Sequence, residues 1–163
     1  MIASKFGHKS SIVELLKAGA DVTARDKSSW SAMSFASFNG KIDAMRLLMS
    51  HDPEAARLPN DPALVLAAGQ LYLEAVQLLV SAGTDVNVSE EGWSALCKAL
   101  LSNVEEKEGE SSPRVAIADV LIEAGIDLKS TYSAAGWNGF TVRGGRLQNL
   151  SSNSLRRLSV DPI

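Results

Sequence analysis

The 163-residue sequence is poor in the groups that most site chemistry requires. It holds one cysteine, Cys97, so an internal disulfide is excluded. Two histidines beside that thiol leave too few ligands for a compact zinc site. Sixteen lysines and arginines against nineteen acidic residues give a net charge of −3. The basic excess of a nucleic-acid binder is therefore missing, and that class is disfavoured. No apolar run approaches the roughly 18 residues of a membrane-crossing helix. Lys5 and Lys9 flank a Gly-His pair with no apolar stretch behind them, unlike a secretory signal. A cytoplasmic or nuclear location is the resulting expectation. What is present is ordinary: 45% hydrophobic and 21% charged residues, the balance of one globular domain with a core to bury.

The strongest signal is internal repetition. Ile12-Val13-Glu14-Leu15-Leu16-Lys17-Ala18-Gly19-Ala20-Asp21-Val22 recurs as Ala75–Val86 and again as Ala118–Leu128. Each is a short amphipathic pattern followed by Ala-Gly and then Asp with an aliphatic residue. A weaker copy, Ala44–Leu48, ends at His51-Asp52. A second block recurs as Ser29-Trp30-Ser31-Ala32-Met33, Gly92-Trp93-Ser94-Ala95-Leu96 and Gly136-Trp137-Asn138-Gly139-Phe140, with Asp61-Pro62-Ala63-Leu64 in the same place in between. Alanines anchor the period: Ala3 to Ala36 is 33 residues, Ala36 to Ala67 is 31, and Ala67 to Ala99 is 32. The Ala-Gly-type ends fall at Gly19, Asp52, Gly83 and Gly125; the last step, 42 residues, is about ten too long, and the excess lies between Ala99 and Arg114.

Each unit reads as two helices. Ser31, Asp61 or Ser94 caps the first helix by accepting a backbone N–H, and Pro62 suits its first position. A tight break follows, as at Asn39-Gly40. Gly19, Gly83 or Gly125 ends the second helix in a left-handed cap. Neither helix buries its apolar face alone, whereas stacked copies do.

These residues resemble the ankyrin repeat, with its Gly-x-Thr-Pro-Leu-His-x-Ala opening, Gly-His break and Leu-Leu…Gly-Ala-Asp-Val close. Gly7-His8, Gly19-Ala20-Asp21-Val22 and Gly92-Trp93-Ser94-Ala95-Leu96 carry the likeness, which covers roughly residues 1–142. The resemblance implies an all-α solenoid of stacked helix-turn-helix units with short β-hairpin fingers. The expected repeats are 1–25, 26–56, 57–88 and 89–130, a partial one at 131–142, an insertion at 103–113, and a loosely ordered basic tail at 143–163. Met1-Ile2-Ala3 begins within a first-helix pattern, so the expectation is a piece or shortened form of a longer protein. Ser34, Val65 and Cys97 stand where the family has its opening His, which predicts softer repeats.

Function follows from the same residues. No nucleophile, base and orienter come together in the sequence, so no enzyme is expected. His8 reads as structural, His51 as a solvated turn residue and Cys97 as a small hydrophobe on the stacking side of its helix. No cofactor and no small-molecule substrate are implied. The resemblance implies a protein partner held by finger tips and first helices. Candidate contacts are Arg25, Lys27, Ser28 and Trp30 on one finger, Arg57, Leu58, Asn60 and Asp61 on the next, and Val88, Glu90, Glu91 and Trp93 on the third. Ser133, Ala134 and Trp137 follow on a fourth, and Phe35, Phe38 and Lys98 line the first helices. Two readings of the tryptophans stand: anchors for a partner, or packing that stiffens the stack. The run Val104–Ser112 carries four glutamates against one lysine and reads as a solvated loop or a partner-specific arm. Two modification sites also follow by resemblance. Ser159 lies in Arg156-Arg157-Leu158-Ser159-Val160, a basophilic kinase pattern that also arises by chance. Asn87 resembles the asparagine hydroxylated in some ankyrin repeats, and reads equally as a turn-former. A monomer or weak dimer is expected. A regulatory or targeting segment of a larger enzyme, such as a kinase or ubiquitin ligase, is the alternative function.

Overall fold

Helices that are too short to be stable alone must stack, and the described part of the chain is built that way. The computed structural model describes residues 1–104 and 112–127. Among the described residues four helix pairs follow one another: α1 (Ile2–Phe6) with α2 (Lys9–Lys17), α3 (Ala32–Phe38) with α4 (Ile42–His51), α5 (Ala63–Gly69) with α6 (Leu73–Ser81), and α7 (Ala95–Leu101) with α8 (Pro113–Glu123). A 3-10 turn, Pro53–Ala56, extends α4. The first helices stack in the order α1, α3, α5, α7, while α2 packs on α4 and α6 on α8.

The alanine spacing accounts for the stack. Ala36, Ala67 and Ala99 are all wholly buried, one on each successive first helix. A methyl group there lets neighbouring helices approach closely. Around this spine the second helices add Met45, Leu48, Val76, Leu79, Leu121 and Ile122 to the core. Leu48, Leu79 and Leu121 occupy one repeat position and are buried, whereas Leu15, the same position in the first pair, is 50% exposed.

The caps form as the sequence predicts. The Ser31 hydroxyl oxygen accepts from the Ser34 N–H, Ser94 Oγ from the Cys97 N–H, and Asp61 Oδ1 from the Ala63 N–H. Pro62 precedes the first helical residue instead of occupying it. Gly19, Gly83 and Gly125 have φ of 81°, 83° and 85°, the left-handed caps expected of them. The inner break is made by Gly7 and Gly40 in the first two pairs but by Leu71 in the third, at φ 58°. A leucine there carries steric strain that glycine avoids, and its burial in the core holds it in place.

The fingers depart from the expectation. Among the described residues only β1 (Ser89–Glu90) and β2 (Trp93–Ser94) form a ladder, pairing Ser89 with Ser94 and Glu90 with Trp93. Glu91 and Gly92 join them with φ of 52° and 79°, a two-residue hairpin turn. The two preceding fingers are turns. In one, Asp26 Oδ1 accepts from the Ser28 and Trp30 N–H groups. In the other, Pro59 removes a donor. All three fingers keep a left-handed residue at the same repeat position: Ser29, Asn60 and Gly92.

The insertion has anchored ends. Ser112 caps α8, whose first residue is Pro113, and Arg114 lies in its first turn. The Arg114 guanidinium donates to the carbonyls of Ala99, Leu100, Ser102 and Val104, closing the end of α7. Residues 105–111 of the insertion, the partial repeat at 131–142 and the tail at 143–163 lie outside the described residues.

Candidate functional site

The exposed side of the first helices carries two rows of side chains that follow from the period. Phe35, Leu66 and Lys98 occupy one repeat position of α3, α5 and α7, and Phe38, Gly69 and Leu101 another. Gly69 puts a gap between two apolar side chains. A cavity of about 530 Å³ opens there, lined by Phe38, Leu66, Gly69, Gln70, Trp93, Cys97, Lys98 and Leu101, with Glu90 at its finger end and Asn103 and Val104 at its rim. A Cβ on Gly69 would meet Lys98 Cβ at an ordinary 3.5 Å, so no backbone strain requires the glycine.

Beside this groove the fingers form a notch of about 460 Å³, lined by Ser28, Ser29, Trp30, Asn60, Pro62, Ser89, Glu90 and Glu91. Glu90 lines both cavities. The Trp30 ring packs edge-on against Phe35, with centroids 5.3 Å apart, and tilted against Phe38 at 5.4 Å. A continuous aromatic strip therefore runs from the first finger into the groove. Lys98 Nζ lies 3.5 Å from Glu90 Oε2, and both side chains are substantially shielded, at 31% and 17% exposure.

Of the residues predicted from sequence, the structure gathers Ser28, Trp30, Phe38, Asn60, Glu90, Glu91, Trp93 and Lys98 around these two cavities, while Phe35 lines neither and packs on the Trp30 ring. Arg25 stands behind the fingers, where its guanidinium donates to the carbonyls of Ser29, Pro59 and Asn60 and ties one finger to the next. Lys27 is exposed on the same finger and lines neither cavity. Arg57 lies apart: its Nε donates to Ala82 O at the end of α6 and its Nη1 to Glu54. Leu58 is half-buried, while Asp61 and Val88 are buried. Asn87 is exposed, and its side-chain oxygen accepts from the Asp127 N–H at 2.6 Å, linking the third and fourth pairs. Ser133, Ala134, Trp137 and Ser159 lie outside the described residues.

The three side chains weighed for catalysis are dispersed. The His8 ring stacks on Phe6, and the backbone of His8 makes the break by donating to Ala3 O. His51 is exposed as the last residue of α4 instead of lying in a turn. Cys97 is half-buried and lines the groove, not the stack; burial pushes its thiol up, against a smaller opposing effect of the Ser94 hydroxyl. Among the described residues no three of His, Cys, Asp and Glu converge on a point that could hold a metal ion, and no helix is long and apolar enough to cross a membrane. Sequence reasoning missed Leu66, Gly69, Gln70 and Leu101 as lining residues. Stepping the repeat period forward from Phe38 finds Gly69 and Leu101.

The geometry has counterparts in known proteins. A family model described as ankyrin repeats (3 copies) matches residues 1–90. Over 104 residues the chain is 35% identical to the ankyrin repeat domain-containing protein SAT10 of Stachybotrys chartarum, a match covering 60% of this chain and 5% of that protein. Over 93 residues it is 27% identical to ankyrin repeat and SOCS box protein 3 of Bos taurus, covering 54% of this chain and 18% of that one. A solved ankyrin repeat domain from Acinetobacter baumannii aligns with a TM-score of 0.63 at 29% identity, over 78% of this chain and 64% of its own. The chain thus spans less than two thirds of the length of each of these relatives.

Proposed function

Since the chain belongs to the ankyrin-repeat family, whose arrays are generally protein–protein interaction modules and typically non-catalytic, we propose that it binds a protein partner along the groove of α3, α5 and α7 and the fingers beside it. The observation that carries the reading is the pair of adjoining cavities, lined by Trp30, Phe38, Trp93 and Leu101 with one charged pair between them. Tryptophan in a partly shielded, concave setting is the residue type that most often dominates binding energy. A cytoplasmic or nuclear location accords with the single cysteine.

A second reading, that the array serves as the interaction segment of a larger protein such as a kinase or ubiquitin ligase, is favoured by the length of the relatives. The test is affinity capture from a native lysate with the whole chain beside a Trp30→Ala, Glu90→Ala, Trp93→Ala variant of matched helical content. Loss of a captured protein with the variant supports this face. Equal capture by both baits moves the interface elsewhere and leaves the tryptophans as packing groups.

A further inference from the structure

We propose that the finger notch receives one arginine side chain of the partner. The proposal rests on the reading of this face as a protein-binding surface, and it adds the chemistry that the face selects. The notch offers what a guanidinium requires. Trp30 supplies ring surface, Glu90 and Glu91 supply carboxylates, and Ser28 and Ser29 supply hydroxyls. The charged side chains lining it are both acidic.

The two carboxylates differ in a useful way. Glu90 is shielded and held: Lys98, on the groove side, takes its Oε2, which leaves Oε1 for a second cation. Glu91 is exposed, at the first central position of the hairpin turn, and the ladder between Glu90 and Trp93 fixes its backbone. Arg25, the fixed cation nearby, is engaged with three carbonyls and does not line the notch. A guanidinium fits better than an ammonium because it is planar. It can lie on an indole while its several N–H groups reach two carboxylates, whereas a lysine offers a compact charge with a strong hydration shell. Lys98 in this scheme both orients Glu90 and competes with the incoming cation.

The experiment is an NMR titration of the whole chain with N-acetylarginine amide, read at the Trp30 indole N–H. N-acetylcitrulline amide serves as the uncharged isostere and N-acetyllysine amide as the alternative cation. The expected result is a saturable Trp30 shift with the arginine probe in the millimolar range, little with citrulline, and weaker binding with lysine. Glu91→Gln, at an exposed site, is expected to weaken arginine binding about two- to fivefold. Lys98→Met, which keeps the aliphatic stem, is expected to tighten it about two- to fivefold by removing the competing charge. A merely structural Lys98–Glu90 pair would not produce that increase. An equal response to citrulline, tighter binding of lysine, or a silent Trp30 overturns the proposal. If Trp30 is silent while lysate capture still depends on the tryptophans, the partner-binding reading survives without the arginine. If both fail, that reading fails with it.

Discussion

Asp61 sits where the neighbouring fingers carry Trp30 and Trp93, and its side chain goes inside. At 3% exposure its Oδ1 accepts from the Ser34 hydroxyl at 2.5 Å and from the Ala63 N–H, while Oδ2 has no partner. Ser34 stands at the family's missing histidine, so this buried pair supplies a tie between repeats where the sequence alone predicts softness. Asp61→Ala is expected to cost roughly 1–3 kcal/mol, since it orphans two buried donors. Asp61→Asn keeps an acceptor and should cost less; urea midpoints of the two variants check the order. Asp21 offers a pH test at the surface. The Thr23 hydroxyl, and then the Thr23 N–H, hold its carboxyl below the ordinary aspartate value. A lowered carboxyl stabilises the fold above the unfolded-state value, and that contribution is lost as pH falls through the folded value. An NMR titration of the Asp21 carboxyl should therefore give a midpoint below that of an unstructured aspartate, and Thr23→Val should move it upward.

Elements are held by closures at their ends. Gly40 has φ 60°, and a Cβ there would meet the Tyr72 ring at 3.0 Å, whereas a Cβ on Gly19, at φ 81°, would meet nothing within 4 Å. Gly19→Ala is expected to cost about 1 kcal/mol from backbone strain alone. Gly40→Ala should cost more, and the difference between their thermal midpoints reads the Tyr72 contact. At the other end of the array, Arg114→Met removes a cation from four carbonyls at the end of α7. A loss of roughly 1.5–3 kcal/mol is expected, with hydrogen exchange rising first in α7 and α8. The helices, caps and glycine closures were legible because each rests on local spacing. Hairpin fingers were expected by resemblance, but which finger pairs was hidden, since Ser29 and Asn60 adopt the same left-handed backbone as Gly92 without forming a ladder. Arg114 was hidden too, because its carbonyl partners are ten to fifteen residues away across an insertion of no fixed period.

At the scale of the whole molecule, period is what made the fold readable: three wholly buried alanines at steps of 31 and 32 residues define the register by themselves. The site was readable only in part. Trp30, Glu90, Trp93 and Lys98 drew notice as exposed, partner-competent residue types. Gly69 did not, because a cavity is made by what a side chain lacks. Arg57 looked like a finger residue by position and is instead engaged at the end of α6.

The pairs are also joined unequally. Pairs two and three share the Ser34–Asp61 bond, the bonds from Arg25 to the Pro59 and Asn60 carbonyls, and the bond from Thr84 Oγ1 to Ala56 O. Between pairs one and two, the polar side-chain link among the described residues is the exposed Lys9–Asp43 ion pair. Pulled at residues 1 and 127, the described array would behave as a tether with a graded release. The first pair would peel away before the second parts from the third. The 24 residues ahead of Arg25, drawn out at about 3.3–3.6 Å per residue, would span roughly 80 Å. The groove from Phe38 to Leu101 would stay intact through that first step, so a partner could remain gripped while the chain lengthens.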